Sequence, residues 1–461
     1  MGRTCGRPFI APGPRRPRAV NESVTDPLLA QLRARAERIE TIELRGRITR
    51  ISGCVLHARM ADGRIGEECL LRDPVSKVET TAEIIGFDGE ETILAPAGDI
   101  RGLSSRTEVM PTGAEPLGPA GPDLLGRVVD GFGNALDGGP AVAGRVPLNA
   151  GPPPPLSRPI IDTPFVTGLR SVDGLLTMGE GQRMGIFGAA GVGKSTLLSQ
   201  IIRGAGADAI VLGLIGERGR EVAEFLERDL GSEGRRRAAV FVATSDRPAT
   251  ERLRAALAAT ACAEEFRRRG MRVLLLIDSV TRVARALREI GLSAGEPPVR
   301  RGFPPSVFAN LPRLVERPGR TGEGVITAIY TVLVEGDDDA SDPVADEMRS
   351  LLDGHIILSR DLAARGHYPA IDILRSKSRV VSAVATPEQL AHSQRVATRL
   401  AKLEEIEILV QVGEYREGSD PLADEALQMR ERTDAFLRQT VAERSSLEVT
   451  LAALAELGRQ S

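Results

Sequence analysis

The stretch from Gly188 to Ser195 reads Gly-Ala-Ala-Gly-Val-Gly-Lys-Ser and fits the phosphate-loop pattern G-x-x-x-x-G-K-[ST] without a mismatch. Glycines let backbone amides close around phosphate oxygens, and the start of a helix adds favourable partial positive charge. We expect the Lys194 ammonium to reach the β- and γ-phosphates and the Ser195 hydroxyl to bind Mg²⁺. The spacing therefore predicts a site for a nucleoside triphosphate.

Two carboxylates follow apolar runs further along the chain. Glu217 comes after the run 209–216, and Asp278 comes directly after the run 273–277. Ligands of open α/β sheets lie at the carboxyl ends of the strands, so both acids are expected beside the phosphate loop. An acid at this position and of this type predicts that Asp278 serves the Mg²⁺ side of a nucleotide-hydrolysing site.

The elements that must position these residues alternate between strands and helices. Residues 183–187 predict a short buried strand before the loop, and apolar residues recur on one face of a helix after it. Further apolar runs, at 209–216, 239–243 and 273–277, alternate with helical segments. This alternation predicts a parallel sheet covered by helices on both faces.

Other patterns divide the rest of the chain. Residues 1–25 predict a disordered basic tail, either a solvated tail or a contact for anionic lipid worth about 1 kcal/mol per arginine. Residues 26–105 predict a short amphipathic helix and a small β-barrel, with turns at Asp62-Gly63 and Asp88-Gly89. The Gly/Pro-rich residues 110–160 predict a connector at the start of a nucleotide domain over 106–380. A capping box at Thr386 and a second helix start at Asp420-Pro421 predict a helical domain over 381–461.

Composition excludes several classes of protein. The net charge of −3 gives no global attraction to nucleic acid, and Phe87 is the one aromatic residue in the barrel segment, which disfavours base stacking there. The sequence contains no run of 18 apolar residues, the length that would predict a membrane span. The four cysteines and four histidines are scattered, which is typical of reduced thiols in a cytosolic protein rather than a disulfide framework or a zinc site.

Several stretches together resemble the type III secretion ATPases, of the virulence injectisome and of the flagellar export apparatus, which are relatives of the rotary ATP synthase catalytic subunit. The similarity covers roughly residues 40–460. The stretches are the phosphate loop and residues 125–138, 216–222, 288–298, 302–308, 334–338, 353–360 and 366–372. The resemblance implies an α/β fold with a RecA-like P-loop NTPase core, an N-terminal β-barrel and a C-terminal helical domain. It also implies a homohexameric ring with ATP sites between protomers.

The resemblance assigns roles to charged residues. Glu217 resembles the carboxylate that polarises the attacking water, and an acid beside a γ-phosphate can orient water for in-line attack. Arg218 and Arg282 resemble supporting charges around the phosphates, with Glu221 ordering them, although structural salt bridges are the alternative for all three. Arg379, in Ser-Lys-Ser-Arg, matches the arginine finger that a neighbouring subunit supplies.

The resemblance also assigns contacts to the base and to the pore of the ring. Tyr368 matches the adenine-stacking tyrosine, and Tyr415 is expected to face it, with a core role as the alternative. The loop 291–301 is expected to line the central pore, where Arg300 and Arg301 could meet a stalk protein. The residues expected to bind ATP or ADP are Gly188, Ala189, Ala190, Gly191, Val192, Gly193, Lys194, Ser195, Thr196, Tyr368 and Tyr415.

The implied partners are further copies of the chain, a central stalk protein, a stator-like regulator, an export gate and substrate–chaperone complexes. Peripheral contact with the inner membrane from the cytoplasm is implied as well, and nucleic acid is not.

Three other functions remain as alternatives. A rotary ATP synthase β subunit shares the core, but the acidic D-E-L-S-E-E-D-like lever is missing here. A non-catalytic α-type subunit would carry Gln in place of Glu217. An RNA translocase of the transcription-terminator type would need an aromatic-bearing barrel, and stimulation of hydrolysis by RNA is its test. Within the family, the residues favour the injectisome branch slightly over the flagellar one.

Overall fold

The computed structural model describes residues 45–334 and 342–459. The predicted tail over 1–25 and the predicted amphipathic helix over 26–40 lie outside these residues, as does most of the 334–338 stretch. No helix in the described part of the chain is long and apolar enough to cross a membrane.

Residues 46–111, all of them described, form a closed barrel of six antiparallel strands in the order β1-β2-β5-β4-β3-β6. The strands are β1 (Gly46–Ser52), β2 (Val55–Arg59), β3 (Glu68–Arg72), β4 (Glu79–Asp88), β5 (Glu91–Pro96) and β6 (Glu108–Pro111). Alternate side chains fill its core, among them Leu56, Leu71 and Leu94, because successive residues of a strand point to opposite faces. The closing strand β6 lies beyond residue 105, so the barrel extends past the predicted domain boundary.

The predicted turn at Asp88-Gly89 joins β4 to β5. Gly89 adopts a φ of 59°, in the left-handed region that a residue without a Cβ enters at no steric cost. Asp62, in the other predicted turn, also has a positive φ, of 52°. Aspartate is one of the few non-glycine residues enriched in this region.

Within the described residues, the central sheet has nine strands. Eight of them follow the order β19-β18-β12-β17-β15-β13-β14-β8, and β16 pairs with β17. The pairs between β18 and β8 are parallel, whereas β19 and β16 run antiparallel to their neighbours. The remaining strands of the chain are β7 (Leu117–Pro119), β8 (Val128–Val129), β9 (Arg145–Pro147), β10 (Pro164–Phe165), β11 (Met178–Gly179), β12 (Arg183–Gly188), β13 (Ala209–Ile215), β14 (Ala238–Ala243), β15 (Arg272–Asp278), β16 (Gly319–Arg320), β17 (Val325–Leu333), β18 (Gly354–Leu358) and β19 (Ile371–Ser378).

Helices cover both faces of this sheet, as predicted. On β15, Leu275 and Ile277 belong to one core and Leu274 and Leu276 to the other, so the strand is apolar on both sides. The α-helices are α1 (Arg170–Leu175), α2 (Lys194–Gly204), α3 (Gly219–Glu224), α4 (Gly231–Arg236), α5 (Ala249–Arg268), α6 (Val280–Ser293), α7 (Pro305–Val315), α8 (Pro343–Leu351), α9 (Arg360–Ala364), α10 (Val381–Val384), α11 (Pro387–Gln411), α12 (Pro421–Leu437) and α13 (Leu447–Gly458).

The predicted connector over residues 110–160 also contributes a strand to the central sheet. Val128 and Val129 pair in parallel with Val240 and Phe241 and form the last strand of the central sheet. Both valines are buried, one in each of the two cores. The segment 125–138 is therefore part of the nucleotide domain and covers an edge strand that would otherwise be open.

The C-terminal helices begin where their caps predict. The Thr386 side chain accepts a hydrogen bond from the Gln389 amide at the start of α11, and Asp420 caps α12 in the same way. Within α11, the fully buried Arg399 pairs with Glu425 of α12. Gln389 then donates to the carbonyl oxygens of Asp173 and Gly174, which ties this domain to α1 of the nucleotide domain.

Candidate nucleotide-binding site

The phosphate loop lies where the sequence predicts it, between the end of β12 at Gly188 and the start of α2 at Lys194. Gly191 and Gly193 have φ values of 85° and 93°, which place both in the left-handed region that glycine favours. The backbone amides of the loop and of the first turn of α2 have no partner within the helix and carry its positive dipole end. Ser195 is exposed on this turn. The loop is therefore shaped to hold an anion.

Lys194 and Asp278 form an ion pair beside the loop. The Lys194 Nζ lies 2.7 Å from Asp278 Oδ1, and both side chains are about nine-tenths buried. The Thr331 hydroxyl on β17 donates to the same carboxylate oxygen at 2.6 Å. Asp278 ends β15, which adjoins β17 in the sheet, so the backbone brings the two side chains together. The charge of the lysine, which would face phosphates, is compensated by the acid that ends β15, two strands from β12 in the sheet.

Glu217 and Arg282 form the second pair of the site. Arg282 Nε lies 3.2 Å from Glu217 Oε1 and Nη2 lies 3.4 Å from Oε2, so the guanidinium meets both oxygens. Gly216 makes room for this arginine, because a Cβ there would lie 2.6 Å from Arg282 Cδ. Burial, and after it the charge of Asp278, raises the pKa of Glu217, while Lys194 and Arg282 oppose the shift. Glu217 therefore combines the burial and the neighbouring charges that tune a carboxylate for proton chemistry.

The donors present fit a magnesium ion. Mg²⁺ prefers hard oxygen ligands and usually keeps several waters beside one or two protein groups and the substrate phosphates. The Ser195 hydroxyl and the Asp278 carboxylate supply two such oxygens, and the hydrogen bond from Thr331 fixes the orientation of the carboxylate. Thr331 was not predicted from the sequence. The sequence gives no distinct signal for it, since Thr327 and Tyr330 also carry hydroxyls in the run 325–333.

Arg218 lies apart from these two ion pairs. Its side chain is three-quarters exposed and pairs with Glu221 at 3.3 Å across one turn of α3. The predicted ordering of Arg218 by Glu221 is thus present as a contact. The predicted support of the phosphates by Arg218 has no counterpart among its contacts in this chain, whereas Arg282 lies within the site.

Arg379 lies level with the amino ends of the parallel strands, whereas the phosphate loop lies at their carboxyl ends. Its backbone amide donates to the Asp353 carbonyl, and the Asp353 amide donates to the Arg183 carbonyl, so the three residues are level. Arg183 begins β12 and Gly188 ends it. A parallel strand rises about 3.3 Å per residue, so the amino ends, where Arg379 lies, are roughly 16 Å from the loop. The exposed Arg379 guanidinium donates to the Arg349 carbonyl oxygen at 3.0 Å.

The two predicted adenine-binding tyrosines differ in their surroundings. The Tyr368 ring lies against the phosphate loop, because a Cβ on Gly193 would be 3.4 Å from its Cε1, and its side chain is half-exposed. The Tyr415 hydroxyl donates to Asp424 at 2.7 Å and is held at the start of α12. Tyr368 is thus already at the loop, while Tyr415 is anchored within the C-terminal domain.

Of the predicted loop 291–301, residues 291–293 form the end of α6 instead, and the rest lies between α6 and α7, which begins at Pro305. Arg300 pairs with Asp346 at 2.7 Å, and its guanidinium lies 5.9 Å from the centre of the Phe308 ring. Arg301 is exposed and has a φ of 48°. Of the two arginines predicted to meet a stalk, Arg300 is therefore committed to a contact within the chain.

Comparison with protein families gives the class that this fold and site define. Residues 48–113 match the β-barrel domain of the ATP synthase alpha/beta family, and residues 168–378 match the nucleotide-binding domain of the same family. Residues 385–456 match a model described as the C-terminal domain of the type III secretion ATPase EscN. The three matches coincide with the barrel, the nucleotide domain and the C-terminal helices described above.

Individual relatives narrow the class. The chain is 53% identical to the type 3 secretion system ATPase of Sinorhizobium fredii (strain NBRC 101917 / NGR234), over 94% of this chain and 96% of the relative. It is 52% identical to that of Xanthomonas euvesicatoria, over 88% and 92%, and 45% identical to the flagellum-specific ATP synthase of Bacillus subtilis, over 89% and 94%.

A solved structure is similar over a comparable length. The assembled ATPase EscN from the enteropathogenic E. coli type III secretion system superposes with a TM-score of 0.84 at 46% identity, over 90% of this chain and 100% of that one. EscN in complex with its central stalk EscO gives a TM-score of 0.82. The chain belongs to the type 3 secretion system ATPases. It is an ATPase that energises type III secretion, and the predicted fold class is confirmed.

Proposed function

We propose that the chain hydrolyses ATP with Mg²⁺ in a homohexameric ring, at sites that a neighbouring copy completes. The observation that carries this proposal is the position of Arg379, roughly 16 Å from its own phosphate loop along the sheet. A finger arginine stabilises the transition state only when it reaches the transferred phosphoryl group. Arg379 must then serve the loop of another copy, and the assembled state of the EscN structure supports such a ring.

ATP is held by the loop amides, by Lys194 and by the two tyrosines. When the nucleotide enters, the Lys194 ammonium exchanges Asp278 for phosphate oxygens. Tyr368 supplies a flat apolar surface next to the loop, and Tyr415 closes on the base from the C-terminal domain. Stacking of a base on an aromatic ring is worth about 1–3 kcal/mol and tolerates different bases.

Hydrolysis depends on Glu217. Its carboxylate orients a water molecule for in-line attack on the γ-phosphate, and the two hydrogen bonds from Arg282 hold it in place. Ser195 and Asp278 would hold Mg²⁺, which when bound neutralises charge on the β- and γ-phosphate oxygens. Arg379 of the adjoining copy then stabilises the charge that develops during transfer, and Arg218 reaches the phosphates only if its pair with Glu221 opens.

Mixing two inactive variants tests the shared site. Lys194→Ala removes the positive charge at the phosphate loop, and Arg379→Ala removes the arginine that a neighbouring copy is proposed to supply. Each variant alone should therefore hydrolyse little ATP. In a mixed ring, some interfaces combine the intact Lys194 of one copy with the intact Arg379 of the next. Random mixing of equal amounts should restore up to about a quarter of the wild-type turnover, because each intact partner occurs with odds of about one half.

The control is a mixture of wild-type chain with the double variant Lys194→Ala/Arg379→Ala, which reports dilution without complementation. Native mass spectrometry of the same samples establishes that the variants share rings. Mixed rings without any recovered turnover would contradict a finger acting between chains.

The energy of hydrolysis is proposed to drive export from the cytoplasmic side of the inner membrane, as a protein translocase. The proposed partners are a central stalk protein, a stator-like regulator, an export gate and substrate–chaperone complexes. EscN has been seen with its central stalk EscO, and that supports the first of these. Arg301, exposed in the 291–301 loop, is the side chain offered to a stalk.

The injectisome is the apparatus that we propose for this chain, with the flagellar export apparatus as the second candidate. The identities of 53% and 52% to type 3 secretion system ATPases exceed the 45% to the flagellum-specific relative. Deletion of the gene should abolish effector secretion and leave swimming motility intact. Loss of motility with normal effector secretion would assign the chain to the flagellum.

A further inference from the structure

A cleft of 660 Å³ lies between the barrel and the nucleotide domain, separate from the phosphate loop. Helices α5, α6 and α7 form one side, and strands β4 and β5 with the segment 148–152 form the other. Its lining is mostly apolar. Small-molecule sites are clefts of about 300–1,000 Å³ with apolar walls and a few polar groups, and they occur preferentially between domains.

Two buried polar atoms in the lining lack a hydrogen-bond partner among the described residues. They are Thr250 Oγ1 and Arg254 Nε, one turn apart on α5 and therefore on one face of that helix. Thr250 is 7% exposed. The other nitrogens of Arg254 are engaged, since Nη2 donates to the Leu117 carbonyl oxygen and Nη1 lies 3.9 Å from Glu68. A buried donor without a partner is destabilising, and a ligand with an acceptor would remove that cost.

The other charged residues of the cleft are already partnered or lie at its rim. Glu83 accepts from the Asn149 side chain at 3.0 Å, and Glu296 accepts from the Ser306 amide at 3.2 Å. Arg317 is paired with the buried Glu264. Arg313 lies exposed at the edge. Thr250 Oγ1 and Arg254 Nε are thus the buried side-chain atoms of the described lining that are left without a partner, and Arg313 adds a further cation at the rim.

We propose that this cleft binds an amphipathic organic anion, a carboxylate or sulfonate carried on an apolar body. The acid group meets Arg254 Nε and the Thr250 hydroxyl, and the apolar body packs against Leu253, Leu287 and Ile290. The cleft is separate from the nucleotide site, because none of these residues belongs to the phosphate loop or its two ion pairs.

Fluorescence of 8-anilinonaphthalene-1-sulfonate tests the proposal, since this probe joins a sulfonate to an apolar ring system. The titration uses the full chain with saturating Mg-ADP, so that the phosphate loop is not available to the probe. Octanoate should displace the probe, and 1-octanol, which has the same chain without the charge, should do so about tenfold less well. Equal displacement by octanoate and 1-octanol would overturn an anion site.

Two variants locate the binding. Ala95→Phe on β5 places a ring in the cleft from the barrel side and should weaken probe binding by about tenfold or more, because the cavity cannot hold both. Ile51→Phe is the matched control, since Ile51 is an exposed barrel residue away from the lining, and it should bind as the wild type does. Probe binding to Ala95→Phe at wild-type strength would overturn the assignment.

Thr250→Val keeps the shape of the side chain and removes only the hydroxyl, so it tests the polar contact in a chain that keeps its packing. Octanoate affinity should fall by about three- to tenfold, whereas 1-octanol should be affected less. An unchanged octanoate affinity in this variant would overturn the placement of the acid group.

Discussion

The two ends of the parallel strands in the central sheet differ in how the charges near them are compensated. At the carboxyl ends of the strands, Lys194 pairs with Asp278 and Arg282 pairs with Glu217. The charged groups that we propose to meet a nucleotide therefore balance each other within one chain. At the amino ends, the Arg379 guanidinium is exposed and donates to a main-chain carbonyl oxygen. One copy thus pairs the charged groups that we propose to bind nucleotide, whereas the cation that we propose for catalysis is exposed.

Arg379→Ala gives the largest effect that we expect. Turnover should fall by about 10³–10⁵-fold while ATP affinity changes little, because the finger stabilises charge only during transfer. Steady-state hydrolysis and nucleotide binding, measured separately, check this. Lys377→Ala is the matched control, because Lys377 is an exposed cation on β19 two residues before Arg379, and its loss should leave turnover near wild type. An equal loss in both variants would mean that these cations act through their general charge.

Glu217→Gln tests the acid at the carboxyl ends of the strands. Turnover should fall by about 10²–10⁴-fold with ATP still bound, because the amide cannot accept a proton from the attacking water. Single-turnover hydrolysis of pre-bound ATP separates chemistry from binding. Glu221→Gln, in a half-exposed acid four residues on, provides the comparison and should retain most activity. A near-normal rate for Glu217→Gln would remove that residue from the chemistry.

Thr331→Val tests the hydrogen bond that orients Asp278 toward the proposed Mg²⁺ site. Loss of the hydrogen bond to Asp278 should weaken the response to Mg²⁺ by about 10–100-fold, the range for a bond to a charged group. The measurement is the Mg²⁺ concentration that gives half-maximal tightening of ADP binding. Thr331→Ser should restore the wild-type value, since it returns the hydroxyl; failure of the serine to rescue would indicate a packing effect.

The pH profile gives the smallest expected change. Burial raises the pKa of Glu217 above its usual 4.5, so the active carboxylate is present above the raised value and is lost as the pH falls through it. The acid limb of kcat/KM should therefore lie above pH 4.5. Arg282→Gln removes a cation that lowers this pKa and should move the limb to higher pH. A limb that stays in place would show that another group controls it.

Much of this organisation could be predicted from local patterns. The phosphate loop, the turn at Gly89 and the caps at Thr386 and Asp420 are each set by a few neighbouring residues, and the structure has them where the patterns place them. Asp278 was found for the same reason, since a charge directly after an apolar strand marks the end of that strand.

What depends on distant pairing could not be predicted. Val128 and Val129 belong to a two-residue strand, which is too short to show a period and is fixed only by its pairing with β14. Thr331 acts through a hydrogen bond across the sheet to a residue 53 positions earlier. The placement of Arg379 at the amino ends of the parallel strands follows from β19 running antiparallel to β18, a direction that the sequence of the strand does not encode.

The strand β19 has a further consequence as the last strand at one end of the sheet. Such a strand offers unpaired backbone groups to any other sheet, which is a common route to aggregation. Arg375 and Lys377 are exposed on it, and Arg379 is exposed directly after its end. Two copies that met strand to strand would bring these like charges together. Their repulsion therefore opposes pairing of two copies through this strand.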